Sequence, residues 1–430
     1  MLRFIVIFFA GAMGALLANR GISVFNDAVR PVVPEYREGR MTRVEFFTTT
    51  FGLSFGLVIG FGLPYSVMSP IILVHSLWLG TDIIGAVFPA KNIEDWWKDK
   101  ESLIGAIGSF AVGGLYGVAL LVGLQGLVSL MQSLPVNVFD AWQNISGPVI
   151  SAFIAFPCVV IAMDYGWKRG IAALVLTVLV RQCLVAAGFA DIADGIALLA
   201  GLLLVIIFAF KVPNPESEGH MADIFADRVR NIRKNIVWIA IMGAIYGVAC
   251  NIHLLMEGPQ SLTALADGNV SAAVSIATAR AISFIPLKGL TSLATGTFVT
   301  DGFGFTTVAG LLAPNILVAA IAGAIVMSAE ALSLTLVAKV FDKAPAIRNS
   351  ADNIRVAMTK LLEVAILVGS MTAAEGMAPG FGFLTVSGLF VMNEYFKKPI
   401  TRMAVGPIAV IAVGILINLF AVSGLYIPAA

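Results

Sequence analysis

Charged side chains interrupt several long apolar stretches of this sequence, and these residues are the ones whose types could do chemistry. Asp82 lies in LGTDIIG, Arg280 and Lys288 lie in ARAISFIPLKG, and Asp301 lies in VTDGFG. An ionisable group at membrane depth is costly and marks a pathway or a site unless it pairs or ends a helix. We expect Asp82 and Asp301 to bind hydroxyls, a cation or a proton. The two basic side chains would attract an anionic group or neutralise these carboxylates.

Two further carboxylates, Glu330 and Glu363, lie deep in other apolar stretches. They are second-choice residues for coupling transport to H⁺ or Na⁺. Lys360 lies less than one helical turn before Glu363, so a local ion pair is the competing interpretation for that residue. Asp82 has its own alternative as a helix-end residue at the membrane interface. Arg181, also in apolar sequence, is typical of a side chain that snorkels or pairs with a carboxylate.

Residues 280–314 combine apolar side chains with a backbone that glycines and prolines interrupt. Such a segment is tolerated at membrane depth only where protein or a water-filled cavity covers it. Opened peptide groups and hydroxyls then become ligands for a polar solute. The sequence predicts a re-entrant hairpin whose tip, near 295–304, reaches an aqueous cavity and binds solute through Thr295, Thr297 and Thr300. A plain external loop is the alternative.

The first half of the chain carries a matching feature. Thr81 and Asp82 follow the Gly-rich run FGLSFGLVIGFG, and Thr300 and Asp301 form a second Thr-Asp pair followed by glycine. Interrupted segments at corresponding places in two halves are a pointer to a transporter site. The pattern predicts two repeated halves, 1–210 and 236–430, joined by a linker at 211–235.

The amino-acid composition indicates that lipid is the main solvent of this protein. Of its 430 residues, 59% are hydrophobic and only 12% are charged, whereas soluble domains carry roughly 25% charged residues. We predict an all-α polytopic membrane protein of about twelve transmembrane helices with re-entrant or broken segments. The predicted spans are 3–19, 46–65, 69–90, 103–131, 147–166, 169–188, 190–210, 236–256, 314–338, 359–378, 380–396 and 403–427, with an irregular apolar region at 272–312.

Basic residues give the orientation. The segments 20–43, 211–235 and 339–360 are rich in Lys and Arg, whereas 132–146 and 257–271 hold neither. The basic segments are expected on the cytoplasmic side, with both termini outside the cytoplasm. Within the linker, four apolar residues recur at helical spacing and predict an amphipathic helix on the cytoplasmic surface: Met221, Phe225, Val229 and Ile232.

Other classes of protein find little support in the sequence. A net charge of +1 gives no global field for nucleic acid. No nucleotide-binding P-loop, zinc-protease or nucleophile-elbow motif occurs. Cys158, Cys183 and Cys250 stand alone in apolar sequence. We therefore expect no enzyme activity, no metal and no cofactor.

Several segments in order resemble the YhfT family of bacterial inner-membrane proteins, along most of the chain. They are FNDAVRPVVPEYREGRMTR, FGLSFGLVIGFG, LGTDIIG, ISGPVISAFIAFPCVVIAMDYGWKRG and RNSADNIRVAMTKLLEVAILVGS. The resemblance implies an inner-membrane carrier and little about its solute. No site residue is assigned from this resemblance.

The Gly-rich run and the later DIIGAVFP turn are also similar in style to the galactitol- and ascorbate-type membrane components of the sugar phosphotransferase system. Those resemble elevator carriers, in which a dimeric scaffold supports a moving transport domain. The chain has no phosphocarrier domain and no candidate phosphorylated Cys or His module, which disfavours phosphorylation-coupled uptake.

These features together predict a secondary transporter of a small polar, sugar-like or anionic metabolite, embedded in membrane lipid. We expect a homodimer with two inverted repeats in an elevator-type arrangement. A membrane-embedded enzyme and a non-transporting assembly subunit are the alternatives.

Overall fold

The computed structural model describes residues 1–67, 69–90, 96–138, 141, 143–211, 221–341 and 347–426, and these are almost entirely helical. The helices of the first half are α1 Leu2–Asn19, α2 Val32–Arg37, α3 Arg43–Leu57, α4 Leu63–Val67, α5 Val74–Val87, α6 Lys100–Gln132, α7 Ser146–Tyr165, α8 Trp167–Ala186 and α9 Ala190–Lys211. A π-helical turn, Val58–Gly62, joins α3 to α4, and a 3₁₀ turn, Gln143–Ile145, precedes α7.

The remaining helices follow in the same order along the chain. They are α10 Met221–Lys234, α11 Ile236–Asn251, α12 Pro259–Ala266, α13 Val270–Thr295, α14 Phe305–Leu312, α15 Ile316–Phe341, α16 Ile347–Met377, α17 Gly382–Tyr395 and α18 Arg402–Val422. Two short strands, β1 Ile72–Leu73 and β2 Leu255–Met256, pair in parallel. The all-α polytopic class predicted from composition is confirmed.

Ten helices in the described residues are long and apolar enough to cross a membrane, or eleven if the bent pair α10–α11 is one span. Nine of them match predicted spans. The predicted spans 69–90, 236–256 and 380–396 contain shorter helices, of 14, 16 and 14 residues. Short helices arise here because strands or turns take part of each apolar stretch.

Helix α13 is the tenth long helix, and it lies where the sequence predicted an irregular region. It continues for 26 residues through Pro286, since neighbouring helices can satisfy the backbone groups that a proline frees. The helix ends at Gly296, whose φ of 67° is left-handed and suits glycine. The interruption predicted for 280–314 is therefore confined to 296–304 and to the short break between α14 and α15 at 313–315.

Two non-helical segments meet inside the protein. The first, residues 20–31, joins α1 to α2, and we call it the first crossing segment. The second, residues 296–304, joins α13 to α14, and we call it the second crossing segment. Val24 N–H donates to Phe298 O at 3.0 Å, and Phe298 N–H donates to Ile22 O at 3.0 Å. The two segments therefore pair in parallel, as β1 and β2 do.

The helices form two groups, judged by which of them pack together. The core group contains α1–α6 and α11–α15, and the flanking group contains α7–α9 and α16–α18. The groups meet mainly where α9 packs on α13 and where α18 packs on α3. Within the core group, glycines allow close approach: Gly11 lies against Gly113, and Gly243 lies against Gly323.

Two basic residues of the segment 20–43 are buried rather than exposed in a loop. Arg20 is 1% exposed and Arg30 is 0% exposed. The Arg20 guanidinium donates to Asn19 and lies 5.8 Å from the Trp96 ring. Arg30 pairs with Asp27. These two arginines are therefore buried inside the fold, and the orientation predicted from the basic segments stays a prediction.

The linker 211–235 contains the predicted amphipathic helix as α10, whereas 212–220 and the side chains of Met221 and Phe225 lie outside the described residues. Val229 and Ile232 are buried against protein. Asn231 Nδ2 donates to Gly296 O at 2.8 Å. The apolar face of α10 therefore packs on the core group, at the end of α13.

Candidate functional site

Four charged residues form a buried ion cluster: Glu257, Arg280, Lys288 and Asp301. The Lys288 ammonium lies 2.7 Å from Asp301 Oδ2 and 3.0 Å from Glu257 Oε1. Arg280 Nε lies 3.3 Å from the same Glu257 oxygen. The cluster joins residues from three parts of the chain. Arg280, Lys288 and Asp301 were predicted site residues, and the structure brings them together.

Local structure explains how these side chains converge. Arg280 and Lys288 are eight residues apart on α13, about two helical turns, so they share one face. Glu257 follows β2 directly, and Asp301 lies in the second crossing segment. The paired strands and the crossing segments thus carry both carboxylates to the basic face of α13.

Burial makes the pairing of these charges necessary. Glu257 and Lys288 are each 3% exposed, and Asp301 is 0% exposed. Removing one partner of a buried pair leaves an uncompensated charge, which destabilises by about 3–5 kcal/mol. The Phe284 ring adds to this environment, since the Arg280 guanidinium lies 4.3 Å from its centroid and the Lys288 ammonium 5.5 Å.

A cavity adjoins the ion cluster between the two helix groups. Its volume is about 50 Å³, enough for a few water molecules. All four residues of the ion cluster line it. Aromatic residues and flanking-group residues such as Met358, Leu362 and Met403 complete the lining. A second cavity, also about 50 Å³, is lined by Arg280 as well and by Asp191, Asp194 and Gln260.

Arg280 is the charged residue that lines both cavities. Phe61, His75, Phe153 and Phe284 also line both. The Arg280 side chain is 24% exposed. The arrangement presents a guanidinium group, with aromatic surface around it, to space between the two helix groups. Such a group binds carboxylate, phosphate or hydroxyl oxygens.

Asp82, a predicted site residue, holds the first crossing segment. Its Oδ1 accepts from Phe25 N at 3.2 Å and its Oδ2 accepts from Asn26 N at 2.8 Å. The neighbouring Thr81 is buried and donates to Trp78 O, within α5, at 3.0 Å. Both carboxylate oxygens of Asp82 are thus occupied by backbone N–H groups, and the side chain stabilises a segment that lacks helical bonds.

Glu330 does for the second crossing segment what Asp82 does for the first. Its Oε2 accepts from Phe303 N at 2.9 Å and its Oε1 accepts from Phe305 N at 3.0 Å. A carboxylate at the start of a helix, here α14, satisfies N–H groups and complements the helix dipole. Glu330 therefore lies beside the ion cluster, but its carboxylate oxygens accept from the backbone N–H groups of Phe303 and Phe305.

The three predicted threonines are buried in and beside the second crossing segment. Thr295 Oγ1 donates to Thr291 O at 2.8 Å. Thr297 Oγ1 donates to Gly21 O at 3.3 Å, and Thr300 Oγ1 lies 3.2 Å from Ser23 Oγ. Two of these contacts join the crossing segments to each other.

Glu363 lies apart from the ion cluster, on α16 of the flanking group. It pairs with Arg402 at 3.0 Å and with Lys360 at 3.4 Å. The local ion pair considered as an alternative is therefore present, and a second basic partner accompanies it. Arg181 likewise pairs with Asp194, at 2.7 Å.

Sequence reasoning missed Glu257, the carboxylate that joins Arg280 to Lys288. The residue stands at the end of an apolar stretch, followed by Gly-Pro, and reads as the start of a loop. Its partner Lys288 is 31 residues away. An acidic residue at the edge of an apolar stretch is a usable signal, but no spacing rule connects it with α13.

The fold and the ion cluster define a polytopic all-α membrane protein with a buried polar centre where two non-helical segments meet. The chain belongs to the YhfT family, described as protein of unknown function, whose model matches residues 3–426. It is 32% identical over 446 residues to the uncharacterized protein YhfT of Escherichia coli (strain K12), across 100% of this chain and 99% of that relative. The predicted resemblance is confirmed. No solved structure matches the chain.

Proposed function

We propose that this protein is a secondary transporter that moves a small polar solute, sugar-like or anionic, across the bacterial inner membrane. The observation that carries the proposal is the buried ion cluster, which lies at the non-helical crossing and adjoins a cavity between two groups of helices. Interrupted backbone and charged residues at this depth are typical of transport sites.

Arg280 is the proposed anchor for the solute. Lys288 contacts both Glu257 and Asp301, whereas Arg280 contacts Glu257 through Nε alone. Within the described part of the chain the rest of the guanidinium group has no hydrogen bond, and we propose that it binds an anionic or hydroxyl group that enters either cavity. Phe61 of the core group and Phe153 of the flanking group line both cavities and offer apolar surface for the body of the solute.

A two-half repeat is part of the proposal, with halves 1–210 and 236–430 and the linker 211–235 between them. Its support is the exchanged pairing of the segments. The first crossing segment follows α1 and pairs with residues after α13. In the second half, β2 follows α11 and pairs with β1, which comes after α3 and α4. In each half, the non-helical segment after the first long helix thus pairs with a segment of the other half, as a pseudo-two-fold relation requires.

An elevator-type movement is also part of the proposal, and the division of the helices into two groups supports it. The core group carries the ion cluster, and the flanking group closes the cavities. Their contact surfaces use small or stiff residues: Gly195 lies near Ser283, and Gly60 lies against Pro407. Smooth surfaces of this kind allow one group to slide along the other. We propose that the flanking group forms the scaffold of a homodimer, with both termini outside the cytoplasm.

The test is a flux assay in proteoliposomes with a pool of metabolites, read by mass spectrometry of the vesicle contents. Wild-type protein should import a subset of solutes, and Arg280→Gln should reduce that import about 10-fold or more, since a charged hydrogen bond contributes roughly 1.5–3 kcal/mol. Arg230→Gln is the matched control, because Arg230 pairs with Asp227 on the exposed face of α10.

The alternative outcomes are distinct. Chemical conversion of a solute without net import would favour a membrane-embedded enzyme. An absence of both import and conversion for every pooled solute would contradict the proposal and favour an assembly subunit. Equal import by wild type and Arg280→Gln would remove Arg280 from the site.

A further inference from the structure

Glu257 and Asp301 bring two carboxyl groups to one ammonium group. Lys288 Nζ contacts Glu257 Oε1 and Asp301 Oδ2. Both carboxyl groups therefore lie against the same nitrogen atom, at 3.0 Å for Glu257 and 2.7 Å for Asp301. Asp301 Oδ1 is buried and receives no hydrogen bond from the described part of the chain. This oxygen therefore needs either a donor or a proton of its own.

From this geometry we infer that Glu257 and Asp301 share one proton, and that this proton is the coupling ion of the proposed transport. Two adjacent buried carboxylates cannot both stay ionised, whereas one shared proton converts their repulsion into an O–H···O hydrogen bond. Asp301 Oδ1 carries the proton and donates it to Glu257. Lys288 balances the negative charge that remains on the pair. The coupling role rests on the proposed function.

The surrounding charges are consistent with a protonated pair. The groups that face it from neighbouring elements are Arg280 and Lys288 on α13, Asp27 and Arg30 in the first crossing segment, His75 on α5, Tyr246 and Cys250 on α11 and Glu330 on α15, and Asp82 on α5 faces Arg30. Together with the pair, the described neighbourhood holds five carboxyl groups but only three arginine and lysine side chains. An uncompensated charge at such depth is costly, so a proton on the pair reduces the excess.

The other carboxyl groups in this neighbourhood have partners that keep them occupied. Asp27 pairs with Arg30. Asp82 and Glu330 each accept two backbone N–H groups. The Glu257–Asp301 pair differs because its two carboxyl groups share one ammonium group, that of Lys288, at the wall of the cavity between the helix groups. This pair is therefore placed to exchange a proton with water in the cavity.

Coupling follows from the position of the pair. Arg280 contacts Glu257, so a solute that binds Arg280 lies next to the proton-binding oxygens. An anionic group there adds negative charge, which the proton on Asp301 offsets. When the core group slides, solute and proton face the opposite side together and both leave. The expected stoichiometry is one proton for each solute, moving in the same direction.

The transport test imposes a pH gradient on proteoliposomes and measures solute accumulation with and without a protonophore. Wild-type protein should accumulate solute when the outside is more acidic, and the protonophore should abolish the accumulation. Asp301→Asn and Glu257→Gln should each reduce gradient-driven uptake about 10-fold or more, and any uptake that remains should no longer depend on the pH gradient. Asp227→Asn, an exposed carboxylate on α10, is the control and should behave as wild type.

A second measurement needs no solute. Infrared difference spectra of the purified protein, recorded between acidic and alkaline buffer, should show the C=O band of a buried carboxylic acid, and Asp301→Asn should remove it. Absence of the band in wild type would overturn the shared proton. Wild-type uptake that does not depend on the pH gradient would overturn the coupling role but not the proposed transport function. A band without flux of any solute would overturn the proposed function but keep the shared proton.

Discussion

Asn19 and Asn251 make the same pair of hydrogen bonds at two different places in the fold. Asn19 Nδ2, at the end of α1, donates to Gly85 O and Phe88 O, both at 2.9 Å. Asn251 Nδ2, at the end of α11, donates to Gly310 O at 3.1 Å and to Ala313 O at 2.7 Å. In each case the acceptors are three residues apart at the end of a helix, α5 or α14.

This correspondence gives a test of the two-half repeat. Asn19→Ala and Asn251→Ala should each destabilise the protein by about 1–3 kcal/mol, because each removes two buried or partly buried hydrogen bonds to carbonyl groups at a helix end. Thermal unfolding in detergent should show similar decreases for both variants. Asn144→Ala, at an exposed position, should leave the transition unchanged. A large effect at one asparagine and none at the other would count against equivalent roles.

Asp82→Asn tests whether this carboxylate holds the first crossing segment. The amide can accept from only one of the two N–H groups, Phe25 or Asn26, and its NH₂ group faces the other. We expect a loss of about 1–3 kcal/mol of stability, together with about 10-fold slower flux. Unchanged unfolding and unchanged flux would show that the segment does not depend on Asp82.

Glu330→Gln makes the matching test in the second crossing segment, at Phe303 and Phe305. The expected loss of stability is similar, about 1–3 kcal/mol. Thermal unfolding and flux of the same preparation would measure both effects. A Glu330→Gln variant with normal stability but no gradient-driven uptake would instead support Glu330 as a coupling residue.

Cysteine reactivity distinguishes a lined cavity from an external loop at residues 296–304. Val299 and Thr297 are both 0% exposed, but Val299 lines the cavity beside the ion cluster, whereas Thr297 is bonded to Gly21. In a Cys183→Ser background, since Cys183 is exposed, Val299→Cys should react with a small thiol reagent and solute should slow the reaction. Thr297→Cys should stay unreactive. Fast reaction at both positions without protection would favour an external loop.

The side of the membrane on which two basic segments lie can be tested together. Arg228 of α10 and Glu38 form an ion pair at 3.5 Å, so Gly39 and Asp227 must face the same side. With both segments in the cytoplasm, Gly39→Cys and Asp227→Cys should be shielded from an impermeant thiol reagent in whole cells and labelled after lysis. Labelling of both in whole cells would invert the orientation. Labelling of one alone would contradict the contact.

Helical class and most spans could be predicted because hydropathy over about 20 residues needs no knowledge of tertiary contacts. The shared face of Arg280 and Lys288 was also predictable, since it depends only on helical spacing. The extent of α13 was not, because Pro286 reads as a break unless neighbouring helices are known to satisfy the freed backbone groups.

The partners of the charged residues required the fold itself. Asp82 and Asp301 look alike in sequence, each after a threonine and near glycine. Their environments differ because Asp82 meets backbone N–H groups of the first crossing segment, whereas Asp301 meets Lys288 and Glu257. These contacts depend on how segments far apart in the chain cross, and local pattern does not encode that crossing.

The exchanged pairing of the crossing segments has a consequence for how the chain is made. Ser23 meets Thr300, 277 residues later, so the first crossing segment cannot complete its contacts until most of the polypeptide has left the ribosome. Until then Arg30 lacks Ser292, to which it donates at 3.1 Å. Loop closure over such a separation is slow. The first half therefore remains in the bilayer as an incompletely folded intermediate during synthesis. Such an intermediate is a target for membrane chaperones and quality-control proteases.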